Sequence, residues 1–158
     1  MTNYSFKETL TFFSERLGST PPAEDMEKEE VELVIDTLHI VLTKGKLEGS
    51  MHFHAILGLL LHPIREEKLK ELATSNFLGI NTGGCKLAFD ESGISLSLHA
   101  YTTCGASPQE NWEWLHRLIS VAREWNKLLV LWEEFVPLST QSAEEKKNEP
   151  RTKAAYRA

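Results

Sequence analysis

The chain of 158 residues has few of the sequence features that mark metal-binding, redox or membrane proteins. Cysteine occurs twice, at Cys85 and Cys104, and the absence of a C-x-x-C pattern excludes zinc ribbons and thioredoxin-type sites. The longest apolar stretch, residues 55–61, is far shorter than the roughly 20 residues of a membrane-spanning helix. The first ten residues, MTNYSFKETL, lack a basic segment followed by an apolar one, so no secretory signal is predicted. We therefore expect a cytoplasmic protein with free thiols.

Positive charge is also scarce. The chain carries 17 Lys and Arg against 23 Asp and Glu, a net charge of −6. Residues 143–158 carry five basic and three acidic side chains, which leaves −8 on residues 1–142. Because nucleic-acid binders draw most of their affinity from cationic contacts to phosphates, this acidic body argues against nucleic acid as a partner.

The first third of the chain predicts one helix followed by strands. Apolar residues at spacings of four, three and four over residues 3–17 form the stripe of an amphipathic helix, which Gly18 ends. Residues 24–30 form a strongly acidic linker. Alternating apolar residues predict strand structure over 31–43, and after a turn one or two further strands over 47–61.

The rest of the chain predicts two more helices with a hairpin between them. Periodicity predicts a helix from Pro63, in its first turn, to Gly79. Residues 85–89 and 94–98 alternate at period two around a turn that contains Gly93, which predicts a β-hairpin. This hairpin would place Cys85 opposite a residue near Ala100, too far from Cys104 for a disulfide within it.

The last helix has the clearest start. Ser107 can cap it, Pro108 takes its first position, and Glu110 completes a capping box. Its apolar arc is wider than one sheet face usually covers, so either part of it meets a second chain or it lies deep across its own sheet. Pro137 ends the pattern, and residues 139–158 are predicted to be a disordered charged tail that follows a single domain of residues 1–138.

This order of helix, strands, helix, hairpin and helix predicts an α+β fold with a mostly antiparallel twisted sheet flanked by three helices. A search for catalytic patterns finds no G-x-S-x-G motif and no H-E-x-x-H motif. His52 and His54, two residues apart on a predicted strand, point to one face and could chelate zinc with a third ligand from elsewhere. Solvent-facing histidines are the alternative. The sequence therefore predicts no catalytic site.

Three segments resemble, in their order, the class I chaperones of bacterial type III secretion. Residues 72–77 (LATSNF) resemble the leu-x-x-x-asn helix end of that family. Residues 87–96 (LAFDESGISL) resemble its leu-x-phe/leu-asp-x-x-gly hairpin, and residues 112–125 resemble its closing amphipathic helix. The resemblance covers residues 6–136. It departs from the family in the acidic linker, the histidine-rich third strand region, the tryptophan-rich last helix and the basic tail.

The resemblance implies the order α-β-β-β-α-β-β-α and a bacterial cytoplasmic homodimer. Such a dimer holds the N-terminal segment of a secreted effector soluble and secretion-competent, without ATP, cofactor or catalysis. By position, it implies a partner-binding surface on the opening helix and first strand: Phe6, Phe12, Phe13, Val31, Leu33 and Ile35. Phe12 lies off the main apolar stripe of the helix and is therefore the residue expected to face the partner. It implies a dimer interface on the second helix and the hairpin: Leu69, Leu72, Phe77, Leu87 and Phe89.

Two other functions stay open from the sequence. The same fold could serve as a regulatory or scaffolding protein outside secretion. A small metal-dependent enzyme that uses His52 and His54 is the second alternative.

Overall fold

The computed structural model describes residues 4–18, 29–79 and 81–137. Most of the predicted acidic linker and the whole predicted tail lie outside these residues. The described residues form three helices and six strands, in the order α1 (Phe6–Leu17), β1 (Glu30–Ile35), β2 (Leu38–Lys44), β3 (Met51–Leu60), α2 (Glu66–Leu78), β4 (Lys86–Phe89), β5 (Ser95–Tyr101), α3 (Pro108–Leu129) and β6 (Phe135–Pro137). The predicted α+β fold and the order of its first eight elements are confirmed.

Helix α1 begins and ends where its local chemistry dictates. The Ser5 hydroxyl accepts a hydrogen bond from the Glu8 amide, and the Glu8 carboxylate accepts one from the Ser5 amide, so this capping box starts the helix at Phe6. The predicted start at residue 3 is therefore too early. Gly18 ends the helix in the left-handed region, at φ 66°, as predicted.

The three strands predicted between the first two helices are present, as β1, β2 and β3. The stretch 31–43 is a tight hairpin of two strands, and Asp36 turns the chain with a φ of 56°. A short polar side chain tolerates this left-handed conformation, so the turn needs no glycine. The stretch 47–61, by contrast, contains the single strand β3 with an irregularity in its pairing to β5 between Ile56 and Gly58.

The sheet is antiparallel in the order β1-β2-β3-β5-β4, and β6 pairs with the end of β3. Its register aligns one apolar row across all five strands, and each of these side chains is buried: Leu33, Ile40, Ala55, Leu98 and Leu87. Helix α3 packs on this face. The opposite face, which we call the open face, carries side chains that are half-buried or exposed, apart from Ser97.

Helix α3 begins with the predicted capping box of Ser107 and Glu110, with Pro108 in its first turn. The wide apolar arc is mostly covered by the protomer itself, since the sheet-facing residues are buried: Leu115, Leu118, Ile119, Ala122, Trp125 and Leu129. Trp112 packs against α1, with its ring centroid 5.4 Å from that of Phe13. The structure therefore favours the second alternative for this helix.

Two further boundaries differ from the sequence-based prediction. Helix α2 begins at Glu66, so Pro63 precedes the helix instead of lying in its first turn. Strand β6, of three residues, is not predicted from the sequence. The Leu61 amide donates to the Glu134 carbonyl, and Arg65 Nε donates to the buried Glu134 carboxylate at 2.5 Å. These two contacts tie the segment before β6 to the start of α2, and no local sequence pattern predicts them.

Candidate binding surfaces

The main-chain groups on the outer edge of β1 form no hydrogen bond with any described residue. The Lys44 amide donates to the Glu29 carbonyl at 2.7 Å, which fixes the alternation of hydrogen bonds between β1 and β2. The amides and carbonyls of Val31, Leu33 and Ile35 therefore face β2. Those of Glu30, Glu32 and Val34 face outward, so β1 has the geometry to accept another strand.

A single side chain of α2 covers Leu87 on the edge of β4, which we call the closed edge, in contrast to the open edge of β1. Asn76 Nδ2 donates to the Leu87 carbonyl at 2.7 Å, and the Leu87 amide donates to Asn76 Oδ1 at 2.8 Å. The amide of Asn76 thus takes the place of a neighbouring strand at Leu87, one of the two outward-facing residues of this short strand; the other is Phe89. Lys86 adds a hydrogen bond from Nζ to the Asn76 carbonyl at 3.2 Å. From the sequence, Asn76 is recognisable only as part of a motif, because its partner Leu87 lies eleven residues away.

The residues predicted to bind the partner do not all lie at the surface. Four of the six are buried in the core of the protomer: Phe6, Phe13, Val31 and Leu33. Phe12 and Ile35 are half-buried and pack against that core from α1 and β1. The four buried residues present little surface to a partner, so their proposed role narrows to supporting the surface from beneath. Contact with the partner stays a prediction for Phe12 and Ile35.

Phe12 lies in an aromatic and cationic environment. Its ring meets the edge of Trp112, with ring centroids 6.5 Å apart, and the Arg16 guanidinium lies 4.8 Å from the centre of the Phe12 ring. These neighbours hold the ring in place while leaving part of it accessible. A half-buried aromatic ring with restrained orientation is suited to packing against an apolar side chain of a partner.

Helix α2 carries the clearest exposed apolar surface. Phe77 is 87% exposed, and Leu69 and Leu78 are 48% and 54% exposed. Of the other residues predicted at a dimer interface, Leu72 and Leu87 are buried in the protomer, and Phe89 is half-buried with its ring 6.4 Å from that of Phe135. Leu69 and Phe77 are therefore the predicted dimer residues that could contact a second copy directly.

The open face carries three histidines on the two adjacent strands β3 and β5. His52, His54 and His99, which we call the histidine array, stack with ring planes within 9° of parallel. Burial is the main cause that lowers the pKa of each ring, and the two neighbouring imidazoles lower that of His99 further, to about 4. Within residues 4–18, 29–79 and 81–137, no group of three or more His, Cys, Asp or Glu is placed to hold a metal ion. The described residues therefore supply no third ligand for the alternative in which His52 and His54 bind a metal ion.

Both cysteines are free, as predicted: Cys85 is buried and Cys104 is exposed. Burial raises the pKa of the Cys85 thiol to about 11, so this thiol stays protonated at neutral pH. In the described part of the chain no helix combines the length and apolar character needed to cross a membrane.

Comparison with known proteins identifies the family. The model of the Tir chaperone protein (CesT) family matches residues 8–126, well over half of the chain. The chain belongs to the Tir chaperone protein (CesT) family. This match confirms the resemblance to secretion chaperones and the class of function that it implied. No curated protein sequence matches the chain.

Solved structures of similar fold include the ExsC–ExsE complex, at 20% identity and a TM-score of 0.61, which covers 78% of this chain and 92% of that one. The ExoU–SpcU heterodimeric complex of the Pseudomonas aeruginosa type III secretion system has 24% identity and a TM-score of 0.57, covering 76% and 93%. The HopA1–SchA chaperone–effector complex has 18% identity and a TM-score of 0.60, covering 77% and 93%. At these identities the likeness shows the fold alone.

Proposed function

We propose that this CesT-family protein is a cytoplasmic chaperone that binds the N-terminal segment of a type III secretion effector as an added strand on the outer edge of β1. The observation that carries the proposal is the contrast between the two sheet edges. The outward groups of Glu30, Glu32 and Val34 have no described partner, whereas those of Leu87 are bonded by Asn76. Two structural neighbours, one a chaperone–effector complex and the other a complex of a type III secretion system, support this class of partner.

An added strand would gain affinity from two sources. Main-chain hydrogen bonds to three outward residues hold an extended peptide whatever its sequence, and apolar side chains at alternate positions give selectivity. Ile35 of β1 and Phe12 of α1 are the half-buried apolar side chains that would receive them. Because hydrogen bonding and apolar burial supply the affinity, this mode of binding needs no ATP.

The charge of the edge favours a segment with basic residues. Glu30 and Glu32 are both exposed on β1, and residues 1–142 together carry −8. Such a surface speeds the association of a cationic segment, and the effect decreases as salt is added.

The exposed apolar residues of α2 support a homodimer. Leu69 and Phe77 would lie in the interface, and Leu72, Leu87 and Phe89 would pack beneath them. Since α2 adjoins β4, the dimer surface and the proposed cargo edge lie at opposite ends of the strand order, so one does not obstruct the other. A dimer then offers two β1 edges to one long effector segment.

Co-expression tests this function. The protein is produced with each larger protein encoded beside its gene, and complexes are purified and sized by light scattering. We expect one neighbour to co-purify as a stable complex of two chaperone chains and one effector. In the complex, the amides of Glu30, Glu32 and Val34 should then be protected from hydrogen exchange. Failure of every neighbour to bind would contradict the secretion role and favour the alternative of a regulatory or scaffolding protein.

A further inference from the structure

The histidine array lies on the pairing that joins the two halves of the sheet. Strands β1, β2 and β3 lie on one side of it, and β5 and β4 lie on the other. In the register of β3 and β5, His54 is opposite His99 and His52 is opposite Tyr101. All four rings stack, with centroids 4.6 Å apart for His54 and His99 and 4.4 Å apart for His52 and Tyr101.

Hydrogen bonds connect the array from β3 to β4. His52 Nε2 lies 2.9 Å from His99 Nδ1, His99 Nε2 lies 2.9 Å from Ser97 Oγ, and the Ser97 hydroxyl donates to the Ala88 carbonyl at 3.3 Å. One arrangement of protons satisfies all three bonds. Ser97 donates to Ala88, His99 Nε2 donates to Ser97, and His52 Nε2 donates to His99 Nδ1. Both imidazoles are neutral in this arrangement.

The chain of bonds tolerates one added proton but not two. If His99 gains a proton at Nδ1, it can donate to His52, provided that His52 shifts its own proton to Nδ1 and accepts at Nε2. A second proton on His52 places two N–H groups against each other and breaks the bond. A proton on His54 adds a positive charge to the same stack, next to His99.

The surroundings supply little to neutralise these charges. Glu30 of β1 is opposite Thr43 of β2, which in turn is opposite His52 of β3. The charge of Glu30 raises the pKa of His52 and of His54, but burial lowers both by more. The other carboxylate on this face, Glu32, is bonded to His39 of β2 at 3.0 Å. On the opposite side Lys86 of β4 is the neighbour of His99, and its charge has the same sign as an added proton.

We propose that the histidine array is an acid-sensitive joint in the sheet, which holds β3 to β5 while its rings are neutral and loosens that pairing when two or more rings are protonated. The joint lies between the strand that would receive cargo and the helix that would form the dimer. Only this last assignment of roles depends on the proposed function; the response to acid does not. The pKa of all three histidines is lower in the folded protein than in the unfolded chain. The unfolded chain therefore binds more protons below about pH 6.5, and acid destabilises the folded protein, as the proposal requires.

Denaturant unfolding at several pH values between 7.5 and 4.5 tests the joint. The His54→Gln/His99→Gln variant removes two of the titrating rings and keeps polar side chains. The matched control is His62→Gln/His116→Gln, which removes two exposed histidines outside the array. For the unsubstituted protein, we expect acid to raise the unfolding equilibrium constant by up to about tenfold per pH unit for each array histidine. The unfolding equilibrium constant of the control should depend on pH as that of the unsubstituted protein does. For the array variant this dependence should be less steep. Equal pH dependence of the array variant and the unsubstituted protein would overturn the proposal.

A second measurement covers the case in which the array variant does not fold at pH 7.5. Imidazole resonances of the unsubstituted protein are followed by NMR as the pH falls, together with amide exchange corrected for its intrinsic pH dependence. We expect the three array rings to titrate below pH 6.5, and protection of Ala55 and Leu98 to fall before that of Leu33 and Ile40. Array rings that titrate at pH 6.5, or β3–β5 protection that is unchanged when they do, would contradict the joint. Neither experiment involves cargo, so its outcome is separate from that of the co-expression test.

Discussion

The two edges of the sheet differ in how their outward main-chain groups are satisfied. At β4, the amide side chain of Asn76 bonds both groups of Leu87. At β1, three residues face outward, and no described residue bonds them. Unpaired edge strands promote association, and proteins commonly cover or shorten them. One of the two outward-facing residues of β4 is bonded by a side chain, whereas none of the three on β1 is bonded by a described residue, and this asymmetry is the one expected of a strand-binding module.

The edges also differ in what lies beside them. Helix α2 adjoins the closed edge and presents the exposed ring of Phe77 and the exposed aliphatic side chains of Leu69 and Leu78. The open edge belongs to a strand whose inward side chains, Val31 and Leu33, are buried. The closed edge is thus suited to association of preformed surfaces between two copies, and the open edge to hydrogen bonding with an extended chain.

The largest effect should come from breaking the proposed dimer at the closed edge. Phe77→Glu places a charge on the most exposed aromatic of α2 and should convert the dimer to a monomer without unfolding it, because this side chain is 87% exposed. Light scattering measures the mass. Leu131→Glu is the matched control, since Leu131 is 77% exposed but lies outside α2. A Phe77→Glu variant that remains dimeric would remove α2 from the interface.

A smaller effect is expected at the proposed partner surface on α1. Phe12→Asp should weaken effector binding by about tenfold, or about 1.4 kcal/mol, because a desolvated carboxylate replaces an apolar contact. The dimer should persist. Titration of the purified effector segment measures the affinity, and Ile94→Asp, at an exposed position in the β4–β5 turn, is the control. If the Phe12 variant unfolds instead, Phe12 belongs to the core and the surface is misplaced.

The third effect is on stability instead of binding, and it should come from opening the closed edge. Asn76→Ala removes both hydrogen bonds to Leu87, and we expect the free energy of unfolding to fall by about 1–2 kcal/mol. Urea denaturation measures this change. Thr74→Ala, at an exposed position of the same helix, should change it by less than about 0.5 kcal/mol. Equal stabilities of the two variants would show that Asn76 does not hold the β4 edge.

Local chemistry made much of the fold predictable. The capping box at Ser107, the terminal glycines of α1 and α2 and the period-two hairpin around Gly93 all act within a few residues, so the sequence alone indicates them. The turn at Asp36 has no glycine, and β6 has three residues, so both were missed. Such features depend on tertiary contacts, as in the ion pair of Asp36 with Arg123 of α3.

The site was less predictable than the fold. An apolar pattern shows that Phe6, Phe13, Val31 and Leu33 are buried against something, but it does not say whether that is their own core or a partner. Which main-chain groups of β1 face outward depends on the register with β2, and the role of Asn76 depends on a contact across eleven residues. These relations exist only once the sheet has formed.

Replacement of Glu32 by proline tests the central claim, strand addition at β1, most directly. Proline removes an outward-facing amide and leaves the hydrogen bonds from Val31 and Leu33 to β2 in place, which edge strands tolerate. Glu32→Gln is the control for loss of the carboxylate and of its charge toward His39. We predict that Glu32→Pro weakens binding of the effector segment at least about tenfold relative to Glu32→Gln, with the dimer intact. Equal affinities of the two variants for the effector segment would contradict strand addition at this edge.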